Sequence, residues 1–194
     1  MDIKVLFAII SVIVSVGAFT AYVKDIFLKK TQPHVYTWLI WAITQGTATA
    51  GLWYGGGGLG AIELTIGTLG VIGVFIFALH HGTKNITAGD TVVLIFALLA
   101  IVAWWQLKSP LLAVFMVSAI DVFGYIPTFR KSFEEPWSET LATWIAFTIG
   151  NAFAIFALGE YNLLTMTYLI AISTANIILV AVCLSRRPHV PKPA

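Results

Sequence analysis

Residues 118–144 read SAIDVFGYIPTFRKSFEEPWSETLATW, and residues 15–41 read SVGAFTAYVKDIFLKKTQPHVYTWLIW. Laid over one another without a gap, at an offset of 103, they place Ser15 on Ser118, Tyr22 on Tyr125, Pro33 on Pro136, Thr37 on Thr140 and Trp41 on Trp144. The same offset carries Gly56 onto Gly159. Apolar matches weigh little in so apolar a chain. Tyrosine, proline and tryptophan agreeing at one offset weigh much more. The apolar runs one to three are thus repeated as runs five to seven, with run four as a linker. A triple repeated after one intervening helix keeps its orientation in a bilayer, so the halves are expected to be parallel repeats about an axis along the membrane normal.

Working outward, the 194 residues are 59% hydrophobic and 10% charged, with mean hydropathy +0.91. A soluble domain carries about 25% charged residues, so this composition excludes a soluble enzyme, a nucleic-acid binder and a disordered regulator. A bilayer span takes about 20 apolar residues, and the chain has length for seven spans with short loops. The net charge of +2 points to no polyanionic partner. The single cysteine, Cys183, excludes an internal disulfide and a cysteine-built metal site.

The runs fall at about residues 5–23, 33–54, 59–79, 91–107, 110–128, 140–158 and 161–184. They lack two-residue alternation, so helices fit and a β-barrel does not. The first run resembles a signal peptide in length, but no small-x-small cleavage site follows it, and it is read as a helix. Asp90 is placed as the N-cap of the fourth helix. The expected organisation is a first three-helix repeat over 1–82, a linker helix over 83–109, a second repeat over 110–185 and a cytoplasmic tail over 186–194. Loops after runs one, three and five, with the tail, hold Lys24, Lys29, Lys30, Lys84, Arg130, Lys131, Arg186, Arg187 and Lys192; the other side holds Lys4 and Lys108. This bias places the N-terminus outside and the C-terminus in the cytoplasm.

The segment Tyr125-Ile-Pro-Thr-Phe-Arg-Lys-Ser132, leading to Trp144, resembles the PQ-loop motif of the SWEET/PQ-loop superfamily. The first repeat has Lys24 where the second has Pro127, and Pro127 is followed by Thr128 rather than glutamine. Lys-Thr-x-Pro-His…Trp-Leu-Ile-Trp and Pro-Thr-Phe-Arg-Lys-Ser also resemble segments of uncharacterised bacterial membrane proteins of this type. The resemblance implies an all-α, SWEET-like bundle of seven transmembrane helices in a three-plus-one-plus-three plan, in a bacterial inner membrane. It also implies a transport role. SWEET transporters carry a substrate-facing asparagine at mid-depth in helices three and seven. Asn176 fits that position, whereas its counterpart by the offset is Gly73.

In the second helix Thr37, Trp41, Gln45 and Ala48 share one face, and Thr140, Trp144, Thr148 and Asn151 are their counterparts in the sixth. Two readings compete. These faces wall a cavity between the halves, with indoles for apolar contact and amides for hydrogen bonds; or the polar groups bind packed helices together. Trp38 is open between the two. Asp121, near mid-depth of the fifth helix, is a candidate protonation site, since an intramembrane acid is functional by default; the alternatives are that it pairs with an amide or hydroxyl, or sits near the cytoplasmic mouth and orients Arg130. Glu63, a turn into the third helix, is expected to reach outside water. Gly67, Gly70 and Gly73 are expected to allow close packing. Pro127 is either a hinge or a helix end.

Other chemistries lack their residues. His80-His81 is a loop pair with no carboxylate cluster, so no metal is expected. Thr87-Ala-Gly-Asp90 lacks the first glycine of an intramembrane aspartyl protease. The seventh helix has no lysine for retinal, and no glycine-rich phosphate cradle is present. The expectation is a non-enzymatic transporter without a cofactor. It is a facilitator or proton-coupled carrier for a small neutral or weakly cationic polar solute, such as a sugar, nucleoside or vitamin. Trp41, Gln45, Trp144, Thr148, Asn151 and Asn176 would contact the solute. A receptor or sorting protein on the same scaffold is the alternative. The bilayer and the solute are the expected partners, nucleic acid is not, and an assembly of copies stays open.

Overall fold

The computed structural model describes residues 2–28, 33–82, 86, 88–134, 136–137, 139 and 141–191, without the side chains at 126, 127, 130 and 131. All regular structure among them is helical: α1 Ile3–Phe27, α2 Val35–Tyr54, α3 Gly60–His81, α4 Ala88–Leu107, α5 Pro110–Glu134, α6 Leu141–Phe156 and α7 Leu163–Arg186, then a 3-10 turn, Arg187–His189. Among the described residues four helices are long and apolar enough to cross a membrane: α1, α3, α4 and α7. α2 carries four threonines and a glutamine. α6 has 16 residues, about 24 Å at 1.5 Å per residue, against a hydrocarbon core of about 30 Å.

Local chemistry sets the ends. Asp2 Oδ1 accepts the Lys4 N–H at 3.0 Å and starts α1. Asn162 Oδ1 accepts the N–H groups of Leu164 and Thr165, while Thr165 Oγ1 accepts the Asn162 N–H, a reciprocal capping box for α7. Asp90 lies within the first turn of α4, not at its cap as expected; a carboxylate there still suits the helix dipole. α5 also runs further than expected. Much of the charged stretch at 130–139 forms its last turn, and Pro127 lies inside the helix rather than at its end. Without an N–H, Pro127 cannot bond the carbonyl of Phe123, a local weakness that the helix tolerates.

Helix neighbours follow one pattern twice. Among the described residues α3 lies against both α1 and α2, whose backbones stay apart and meet only through side chains such as Tyr22 and Trp38; α7 lies against both α5 and α6, whose backbones likewise stay apart and meet through Tyr125 and Trp144. Across the halves α1 meets α6 as α5 meets α2, and α3 meets α6 as α7 meets α2. Exchanging the first triple for the second leaves these relations unchanged. α4 stands outside, against α5 and α2, with only Ala97 and Ala100 buried.

The two ends of the bundle are built differently. At the end holding Gly55–Gly60 and Leu158–Asn162, the halves share one core: Leu52, Leu64, Val114, Val117, Leu158, Tyr168 and Leu169 pack together from both. The loops there are hydrogen-bonded, with Gly159 N–H donating to the Gly57 carbonyl at 2.9 Å and Glu160 N–H to that of Gly56 at 3.1 Å. Gly56 adopts φ +82°, a region favouring glycine. A side chain at Gly60 would lie 2.5 Å from the Ala154 carbonyl, so α3 and α6 approach as closely as they do only because it has none. At the other end the cores separate. Ile26, Trp38, Val71 and Val74 pack within the first half, and Tyr125, Ala175, Leu179 and Cys183 within the second.

The outer face is apolar. Ile13, Leu69, Ile76, Ile95, Phe96 and Ile177 are among many exposed large hydrophobic side chains. Trp53, Tyr54, Trp105 and Tyr161 are exposed around the glycine-loop end, the arrangement of an interfacial aromatic belt.

Candidate functional site

The faces singled out in α2 and α6 end up in different surroundings. Trp41 is half-buried and packs edge-on to Trp38, centroids 5.2 Å apart. Trp38 is 7% exposed and stacks on Tyr22 at 5.1 Å, so it belongs to the first half's core. Trp144, also half-buried, meets Tyr125 at 5.7 Å and donates its indole N–H to Glu139 Oε2 at 3.0 Å. Each repeat therefore sets a tyrosine of its first helix against a tryptophan of its second, at the end where the cores are separate.

The amides are more inward. Gln45 turns into the α2–α3 seam, where its Nε2 would lie 2.6 Å from a Cβ on Gly67. Thr148 donates to the Trp144 carbonyl at 2.8 Å within α6. Asn151 is 7% exposed. Asn176 is 1% exposed, and its Oδ1 accepts the Tyr125 hydroxyl at 2.7 Å. Its amide oxygen thus answers a residue of its own half. The counterpart position is open: a side chain at Gly73 would meet nothing within 4 Å, whereas one at Gly70 would strike the Phe19 ring. Thr37 binds His34 at the start of α2, with Oγ1 and Nδ1 3.1 Å apart. Thr140, with the loop lysines Lys29, Lys30, Lys84 and Lys192, lies outside the described residues.

Two buried carboxyl groups dominate the interior. Asp121 is 3% exposed, and its Oδ2 accepts the Tyr168 hydroxyl at 2.6 Å. Its Oδ1 has no hydrogen-bond partner. Thr44 of α2 faces it, so Asp121 sits where α5, α7 and α2 meet. Glu63 does not reach water as expected: it is 5% exposed, because α1 and α6 close over the first turns of α3. Its Oε1 accepts the Ser15 hydroxyl, and its Oε2 has no partner. Gly150 of α6 completes its surroundings. Each carboxyl therefore occupies the junction of the first and third helices of one half with the second helix of the other. Tyr168 stands within electrostatic reach of both.

Sequence reasoning singled out Asp121 but missed Tyr168, Ser15 and the burial of Glu63. The pair Ser11 and Ser15, four apart on an otherwise apolar helix, was the available signal. Two hollows lie elsewhere. One is a groove of about 450 Å³ between α2 and α4, lined by Gly46, Thr47, Trp104 and Trp105 among others; the second, about 580 Å³, runs along the start of α7. Among the described residues no group of three or more His, Cys, Asp or Glu comes together to hold a metal.

The helical architecture, the spans of membrane-crossing length and the apolar outer face point to a helical membrane protein as the class. No family model, no curated protein and no solved structure matches the chain.

Proposed function

We propose that this protein is a membrane carrier for a small polar solute, built on a SWEET-like scaffold of seven spans. The solute enters a cleft between the two three-helix halves, and the halves rock so that the cleft opens to each side in turn. The observation that carries this reading is the contrast between the ends: one shared core beneath the glycine loops, two separate cores opposite. In this reading the shared core is the closed end and the halves part at the opposite end, as in one state of an alternating cycle. The exchange-symmetric helix neighbours support the same reading.

Trp41 and Trp144 supply apolar faces to the solute, and Thr148 and Asn151 supply hydrogen bonds, the usual division of labour in such a site. Gln45 and Asn176 stand behind them, holding α2 and Tyr125 in place. Asp121 is the protonation site if the carrier is proton-coupled, and Pro127 the point at which α5 bends. The N-terminus lies outside and the C-terminus in the cytoplasm, in a bacterial inner membrane. A receptor or sorting protein without transport is the second reading, favoured by the internal bond between Tyr125 and Asn176.

The experiment is a thermal-shift screen of purified protein against sugars, nucleosides, vitamins and amino acids, then radiolabelled uptake of the hits into proteoliposomes. A ligand that binds only the folded state raises the melting temperature, and a carrier shows saturable uptake of it. Binding without uptake establishes the receptor reading instead.

A further inference from the structure

A carboxylate buried without a partner for one oxygen is costly in an apolar interior unless a cation neutralises it. Glu63 is in that position at the α1, α3 and α6 junction: Ser15 engages Oε1, and nothing engages Oε2. Oxygens gather on the Oε1 side of this carboxyl group. The point where a Cβ would stand on Gly150 lies 3.2 Å from Ser15 Oγ, 3.7 Å from the Ser11 carbonyl oxygen and 3.8 Å from Glu63 Oε1. Gly150 carries no side chain, so this niche stays unfilled by α6. Carboxylate, hydroxyl and carbonyl are the donors of a hard cation, and one carboxylate balances one positive charge.

We propose that Ser11, Ser15, Glu63 and Gly150 form a binding site for a small monovalent cation, Na⁺ or a proton carried by Glu63, between the two halves. α1 and α3 belong to the first half and α6 to the second, so the bound cation ties the halves together at this junction. One turn away along both helices, Phe19 of α1 and Phe147 of α6 meet edge to face, centroids 5.6 Å apart, a further contact across the halves beside the niche. The titratable groups around Glu63 are few. Tyr168 of α7 is within electrostatic reach, with Asp121 of α5 bonded to it. α6 has no titratable residue, and the charged residues of α1, Lys4, Lys24 and Asp25, lie towards its ends.

The inference needs no solute and stands apart from the carrier reading, so it is tested on binding alone. Purified full-length protein is melted in NaCl and in choline chloride at equal ionic strength, across a series of pH values, as wild type and as Glu63→Gln. If Na⁺ is the occupant, the melting temperature rises saturably with Na⁺, and Glu63→Gln abolishes the rise. Ser15→Ala shifts the Na⁺ midpoint by about tenfold, the cost of one lost bond to a charged group. If the proton is the occupant, Na⁺ has no specific effect, the melting temperature falls as pH rises, and Glu63→Gln removes that dependence. Identical Na⁺ and pH responses in wild type and Glu63→Gln overturn the site. Should Glu63→Gln fail to fold, Ser15→Ala and Gly150→Ala, whose methyl enters the niche, serve in its place; unchanged responses in both overturn it equally.

Discussion

The Asp121 carboxylate accepts a 2.6 Å hydrogen bond from the Tyr168 hydroxyl, tying α5 to α7 at the centre of the second half. Both residues are buried, at 3% and 6% exposure. Removing the donor alone leaves a buried acid without its tyrosine partner. Tyr168→Phe should therefore cost about 1–3 kcal/mol of stability. Asp121→Asn in the Tyr168→Phe background should cost less than in the wild type. A double-mutant cycle by denaturant unfolding reads the coupling; purely additive losses would show that the bond contributes nothing.

Trp38 and Trp41 are neighbours with different expected roles. Trp38 is core, and Trp38→Ala should lower stability by about 3–5 kcal/mol as an aromatic truncation. Trp41→Ala and Trp144→Ala, at half-buried positions, should cost less stability. Each should weaken solute binding by about tenfold, ~1.4 kcal/mol. Melting curves with and without the ligand from the screen separate the two effects.

Locking the closed end should stop transport. The Cβ of a residue replacing Gly56 would lie 3.4 Å from the Glu160 Cβ, close to the spacing that a disulfide needs. The Gly56→Cys/Glu160→Cys pair should cross-link under mild oxidant at some cost in stability, since Gly56 has φ +82°, and the native Cys183 is buried and stays out of the reaction. Uptake should vanish on oxidation and return with reductant. Undiminished uptake in the cross-linked protein would rule out rocking at this end.

Orientation is tested by thiol accessibility in intact cells. A cysteine replacing Lys84 or Lys131 should resist an impermeant reagent, whereas one replacing Tyr161, exposed at the glycine-loop end, should react. The opposite result reverses the topology.

Asp121→Asn also separates energy sources. In proteoliposomes under an imposed pH gradient, a proton-coupled carrier loses accumulation but keeps exchange. A facilitator accumulates nothing with either residue.

The runs of apolar residues and the breaks at Gly55–Gly58 and Lys108-Ser-Pro110 placed the helices from the sequence alone, because helix length and ends depend on nearby residues. The tyrosine and tryptophan recurring at one offset do not return equal neighbours: Tyr22 meets Trp38, whose counterpart is Leu141, whereas Tyr125 meets Trp144, the counterpart of Trp41. Only the tertiary structure decided the rest. Glu63, next to a glycine run and a turn into its helix, is indistinguishable in sequence from an acid at the water surface. It is buried because α1 and α6, distant in the chain, close over it. Asn176 finds Tyr125, and Asp121 finds Tyr168, across 51 and 47 positions. Burial and hydrogen-bond partners are set by which helices pack together, and no local pattern encodes that.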